Sequence, residues 1–306
     1  MTFSLSLQDL PSPAPEEDWR TTALRLLRAS GYLAEGYDPK TPVSKVTASV
    51  PFRLFETLVR APDRTWSIEQ LQERLQTSPP TVYRHLGKLH RMGLLDTAGV
   101  EGGARAYHLA HFELPLAWEV TAAHVRGALA RNARMADLLA EAFGAPAPEG
   151  ARALPVQTAI PFWLTVGTFT LERQRRKLRQ CTVGWLEQLG YLDARGTGGP
   201  LARSMAFRLF WDCLLPQPQV PSSHEALASK LHTSKPSVGR HLHTLESMML
   251  IERVTLDGQS RPPTKGYRIR YGDLRKAWQL SEAHAHVAMQ SYKENILHLS
   301  AQAEGA

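Results

Sequence analysis

The sequence predicts a mainly α fold of the α+β class with small β-hairpins, organised as two repeats that form a pseudo-dimer within one chain. Three observations predict it. A stretch of 18 residues occurs twice, as "SPPTVYRHLGKLHRMGLL" at 78–95 and "SKPSVGRHLHTLESMMLI" at 234–251. Flanking residues recur in the same order: Gly31-Tyr32-Leu33 with Gly190-Tyr191-Leu192, Phe52-Arg53-Leu54-Phe55 with Phe207-Arg208-Leu209-Phe210, and Ala117-Trp118 with Ala277-Trp278, at offsets of 155 to 160 residues. A period that long marks duplication of a domain, since solenoid units are far shorter. Finally, apolar residues keep helical spacing over most of each repeat and are interrupted by short Gly-rich stretches.

Each element has a local cause. Residues 1–17, with Pro11, Pro13 and Pro15, read as a disordered N-terminal tail. Repeat one then spans 18–143, the Pro/Gly/Ala-rich stretch 144–158 reads as a linker, and repeat two spans 159–306. In each repeat a helix ends at the Gly-Tyr-Leu, and a second begins near Pro51 or Met205. A short helix follows at 67–75 or 223–231; Ser67 with Gln70 three residues on is a capping box. Gln76-Thr77 turns the chain into the duplicated stretch. Ser78 and Ser234 are expected to cap its helix by accepting a first-turn amide, and Pro79 suits the first helical position, where a missing N–H costs nothing.

At 100° per residue, Val82, Leu86 and Leu89 fall within a stripe about 60° wide, which is a core-facing ridge. Val238, Leu242 and Leu245 repeat it. The outer face carries Arg84, Lys88 and Arg91 with Thr81 at its edge; in the second copy it carries Ser237, Arg240, His243, Thr244 and Ser247. His85 and His241 lie beside the ridge, where packing against the preceding helix is expected. Gly93 suits the left-handed cap that ends the first helix. Strands at 94–97 and 104–109, and at 250–256 and 264–269, enclose two hairpins, and long helices at 114–143 and 273–301 close the repeats, with Leu116, Val120, Leu129, Leu138 and Leu139 as apolar positions.

The chain of 306 residues carries a formal charge of +7, with 43% hydrophobic residues. Residues 1–150 hold 16 Lys/Arg against 17 Asp/Glu, and 151–306 hold 20 against 12, so a polyanion should lean on the second half. Cys181 and Cys213 form neither a disulfide framework nor a metal pair, which points to a reducing compartment. The longest apolar stretch, 159–169, is well below the roughly 20 residues of a spanning helix, and the opening lacks the basic start and apolar core of a signal peptide. A cytoplasmic location without membrane contact is expected. His241 with His243, and His284 with His286, diverge by about 200° on a helix, so neither pair can chelate a metal alone. No cofactor is implied, and no phosphate-binding Gly-rich loop, HExxH or GxSxG supports an enzyme. Trp118, Trp163, Trp185 and Trp278 read as packing residues.

Ser78-x-x-Thr81-Val82-x-Arg84-His85-Leu86-x-x-Leu89-x-x-x-Gly93-Leu94-Leu95 resembles the recognition helix and first wing strand of winged-helix DNA-binding proteins of the ArsR/MarR kind. The likeness covers roughly 51–109 and 205–269; Met249 departs from it where the family carries glycine. The resemblance implies that double-stranded DNA is the partner. It implies DNA contacts from Ser78, Thr81, Tyr83, Arg84, Lys88 and Arg91 in the first copy, and from Ser234, Lys235, Ser237, Arg240, His243 and Thr244 in the second. Phosphates would meet Arg105 in the first wing and Arg261, Lys265 and Arg268 in the second. A transcriptional regulator reading two non-identical half-sites is the leading expectation. The rivals are a plasmid-type replication initiator binding origin repeats and a chromosome-organising adaptor whose winged helices hold proteins. The long closing helices could also pair two chains into a homodimer.

Overall fold

The computed structural model describes residues 3–33, 41–99, 105–144, 155–156, 159–168, 177–193, 200–256 and 264–304. It is mainly helical with small antiparallel sheets. Two compact units emerge: Met1–Arg126 together with His286–Ala306, and Gly127–Ala285. These bounds differ from those of the consecutive repeats expected at 18–143 and 159–306. Both long helices are divided between the units, because their two halves bury apolar faces in different cores.

In unit 1, β1 (Ser4–Gln8) alternates strictly, with Leu5 and Leu7 buried. The expected disordered tail is therefore overturned. Its backbone groups find partners despite the prolines: Ser6 N–H donates to the Ser30 carbonyl, Tyr292 Oη donates to the Ser6 carbonyl, and Asn295 Nδ2 donates to the Pro11 carbonyl. Helix α1 (Trp19–Ala29) starts where Asp18 accepts the amides of Arg20 and Thr21. It stops at Gly31, whose φ of +80° and close approach to Ser6 Oγ, 2.8 Å from where a Cβ would stand, demand glycine. The short α2 (Val43–Thr47) leads to α3 (Val50–Arg60), which has Pro51 in its first turn. Helix α4 (Ile68–Leu75) carries the full Ser67/Gln70 capping box, and Gln76 turns left-handed at φ 51° into α5 (Pro79–Arg91).

Strands β2 (Leu95–Gly99) and β3 (Arg105–Leu109) pair antiparallel with Leu95 opposite Leu109. Trp66 bridges to Tyr107 through two 2.8 Å backbone hydrogen bonds, tying the α3–α4 connection to the hairpin. Helix α6 (Leu114–Phe143) begins unit 1's closing layer, where Trp118 stacks on Tyr292 at 5.6 Å and Thr121 Oγ1 donates to the Met92 carbonyl. Leu129 and Leu139 are buried as expected, whereas Leu116 and Val120 are exposed, because the inward face of this helix is carried by Ala117, Trp118, Thr121 and Val125.

Unit 2 holds elements in a similar order. Strand β4 (Trp163–Gly167) precedes α7 (Leu178–Gln188), and α8 (Met205–Arg208) widens into a π-helical turn at Leu209–Leu214. The two-residue β5 (Ser222–Ser223) leads into α9 (His224–Leu231) and α10 (Lys235–Ser247). Strands β6 (Ile251–Thr255) and β7 (Lys265–Ile269) form a sheet in the order β5-β7-β6, and α11 (Leu274–Glu304) follows. Pro155 and Val156, expected in a linker, instead bridge to β6; among the other linker positions, 145–154 and 157–158 lie outside the described residues. Trp185 and Trp278 are buried and meet edge to face at 6.1 Å. Met249 takes φ 61° at the position equivalent to Gly93, and Arg270 braces that turn by donating to the Met249 carbonyl at 3.0 Å.

Candidate nucleic-acid interface

The ridge that positions α5 is buried as the helical wheel requires, with Val82, Leu86 and Leu89 at 2% exposure or less. Burying these three side chains contributes on the order of 1.5–3 kcal/mol each, which fixes the rotation of the helix about its axis. The opposite face follows from that rotation. Ser78, Tyr83 and Arg84 are exposed; Thr81, Lys88 and Arg91 are half-buried. Ser78 does not cap the helix: its Oγ lies 3.1 Å from Thr81 Oγ1, Pro80 removes the second-position amide that a cap would serve, and the Thr81 amide donates to the Ser78 carbonyl at 3.1 Å. Tyr83 stands edge-on to Tyr107 at 6.5 Å, and burial pushes the Tyr107 phenol up, with Tyr83 adding to the rise. His85 is buried beside Tyr32, at 6.0 Å with the rings nearly perpendicular, and Arg84 Nη2 lies 3.3 Å from its Nε2. The expected partner of His85 was the preceding helix; the ring actually meets the tyrosine of Gly-Tyr-Leu. Arg105 is exposed at the start of β3.

In unit 2, Val238, Leu242 and Leu245 are buried to 1% or less, and Arg240 and His243 are exposed with Ser237 and Thr244 half-buried beside them. Thr244 Oγ1 donates to the Arg240 carbonyl. Ser247, expected outside, is 7% exposed and donates to the Thr244 carbonyl, because the end of α10 is buried along with Glu246. Ser234 and Lys235 are exposed at the helix start, and Lys235 Nζ pairs with Glu225 at 2.6 Å, which draws the Glu225 carboxyl down. Gly239 replaces the bulk of Tyr83. The space is taken by His224, 3.6 Å from where a Cβ on Gly239 would stand, and His224 packs on Tyr267 at 4.8 Å. A recess of about 600 Å³ runs along α10, lined by Trp163, Arg240, His241, His243 and Thr244 among others.

The second hairpin corrects one expected phosphate contact. Arg268 is not a free cation: its side chain is 14% exposed and donates to Glu252, 4% exposed, at 2.8 Å. The two residues are directly opposed across β6 and β7, so strand register turns the charge inward. A second pair, Arg253 with Glu246 at 3.0 Å, flanks it. The first pair depends on strand register and the second on the packing of β6 against α10, so sequence spacing revealed neither. Lys265 is exposed at the start of β7, and Arg261 lies outside the described residues.

Residues 47–98 match the family model for a helix-turn-helix domain, a stretch that covers α3, α4, α5 and most of β2. No curated protein and no solved structure matches the chain. The matched segment is similar to a helix-turn-helix domain, which suggests DNA as a partner. Among the described residues no helix is long and apolar enough to cross a membrane, and no group of three or more His, Cys, Asp or Glu could hold a metal ion.

Proposed function

We propose that this chain binds double-stranded DNA sequence-specifically as a transcriptional regulator, with α5 and α10 as recognition helices of a duplicated winged-helix pseudo-dimer that reads two non-identical half-sites. The observation that carries the reading is the segregation of α5: a buried Val82/Leu86/Leu89 ridge behind an exposed Arg84, inside the segment that matches a helix-turn-helix domain. A helix about 10–12 Å wide fits the major groove, where arginine bonds bidentately to guanine O6 and N7.

Duplication is supported by contacts that recur between equivalent residues. Tyr32 meets His85 as Tyr191 meets His241, at 6.0 and 5.8 Å. Tyr32 Oη donates to the Pro51 carbonyl as Tyr191 Oη donates to that of Ala206. Thr121 Oγ1 donates to the Met92 carbonyl as Ser281 Oγ donates to that of Met248. Non-identity of the half-sites is supported by the outer faces: Tyr83 and Lys88 in α5 stand where α10 has Gly239 and Thr244. Phosphate contacts in this reading come from Arg105 and Lys265, while Arg268 is withdrawn into its ion pair.

Selection of bound duplexes from a random pool tests the reading. The expected product is one site with two different halves, whose affinity falls linearly in log–log coordinates by about 0.9 per neutralised phosphate as salt rises. Footprinting should place that site over a promoter; protection of tandem origin repeats would identify an initiator instead. Recovery of no sequence, with a protein retained in place of DNA, overturns it.

A further inference from the structure

We propose that an open recess between α3 and α4 of unit 1 binds a phosphate oxyanion, independently of the recognition helices. The recess, about 420 Å³, is lined by Arg53, Glu56, Thr57, Arg60 and Arg74. Each guanidinium is held in place by something other than a carboxylate alone. Arg53 donates to the Arg74 carbonyl at 2.7 Å and to the Leu75 carbonyl at 3.4 Å. Arg74 donates from Nε to the buried Thr57 hydroxyl at 3.3 Å and lies 5.5 Å from the Trp66 ring centroid. Arg60 lies 4.8 Å over Trp19 and reaches Glu56 through Nε at 3.3 Å.

These contacts use the Nε of Arg60 and Arg74, and their terminal N–H groups make no hydrogen bond among the described residues. A guanidinium presents five N–H donors in a planar fork that matches phosphate oxygens two at a time. Forks already positioned by ring and hydroxyl contacts lose little further freedom when an anion arrives. Three cations face one carboxylate, and Glu56 is shared with Arg20 at 3.7 Å, so the recess keeps a positive surplus.

Unit 2 carries a smaller surplus, two cations against one carboxylate. The positions of Arg53, Thr57 and Arg74 correspond, at offsets of 155 and 156, to Arg208, Asp212 and Lys230. There Arg208 pairs with Asp212 at 3.6 Å, and Lys230 Nζ donates to the Asp212 carbonyl at 2.8 Å. A carboxylate stands where unit 1 has a hydroxyl. Tying the two helices together therefore does not require three cations, and the larger surplus in unit 1 is left for an external anion.

The phosphate could be free or part of a DNA backbone, and one set of proteins separates the sources. The full chain, Arg60→Gln, Arg74→Lys and the unit 2 control Arg208→Gln are melted with inorganic phosphate and pyrophosphate at constant ionic strength, and titrated with duplex DNA across salt. A saturable rise in melting temperature, absent from Arg60→Gln and Arg74→Lys but kept by Arg208→Gln, identifies free phosphate. No rise, with a salt slope lowered by about 0.9 in Arg60→Gln alone, identifies a backbone phosphate. A chain that responds to phosphate yet binds no duplex refutes the DNA reading and supports this site. Neither response in variants that melt cooperatively overturns the proposal; if Arg74→Lys fails to fold, the half-exposed Arg60 decides it.

Discussion

Replacing Arg268 by leucine separates a structural cation from a DNA-contacting one. Its partner Glu252 is 4% exposed and keeps, after the substitution, a 3.1 Å hydrogen bond from Tyr271 N–H. That bond satisfies one lone pair but does not compensate the charge. Stranding one member of a buried ion pair costs about 3–5 kcal/mol, whereas an exposed pair is worth at most about 1 kcal/mol. Chemical denaturation of the full chain, followed by circular dichroism, should therefore show unit 2 weakened by about 3 kcal/mol or more. Adding Glu252→Leu should restore part of the loss, with about 1–3 kcal/mol remaining for the Tyr271 amide left without its acceptor. The dependence of DNA affinity on salt should not change, because this guanidinium neutralises a carboxylate already. A loss below about 1 kcal/mol together with a salt slope reduced by about 0.9 would refute the assignment and return Arg268 to the phosphate contacts.

Arg84→Ala and Arg240→Ala should each weaken specific DNA binding by about 1–3 kcal/mol and relax preference at one base pair, read by competition between site variants; a loss uniform over all sequences would make them backbone contacts. Gly93→Ala should destabilise by about 1–2 kcal/mol or more, since φ is +78° and the new methyl would stand 2.8 Å from Thr121 Oγ1, whereas Met249→Gly should stabilise by up to about 1 kcal/mol; equal melting temperatures would contradict this. Burial holds His224 and His241 below the ordinary imidazole range, with neighbouring cations adding to both shifts. Their unfolded forms bind protons that the folded forms refuse, so stability is full above the ordinary histidine value and is lost as pH falls through it towards the depressed values. Melting between about pH 7.5 and 5.5 should show this fall, and His224→Phe should flatten it.

The helix-turn-helix was readable residue by residue. A ridge at Val82, Leu86 and Leu89 needs only the 3.6-residue period to declare which side is inward, and the exposure of Arg84 follows by elimination. The capping box at Ser67 was equally local. The N-terminal strand was obscured by three prolines, although Phe3-Ser-Leu-Ser-Leu alternates with the period of a strand, and the residues that receive it, Tyr292 and Asn295, lie more than 280 positions away. Ser247 and Arg268 were read as outward because helix and strand periodicity assign a face but do not reveal how far the neighbouring burial extends or which charge stands opposite.

Periodicity and caps thus specify which segments become helices and which side of each is apolar, since those choices are made among neighbours a few positions apart. Assembly decides the remainder. Which helix halves share a core, whether an arginine is free or matched, and whether a left-handed turn must be glycine all depend on groups remote in sequence, whose burial and charge exist only once the chain has closed around them.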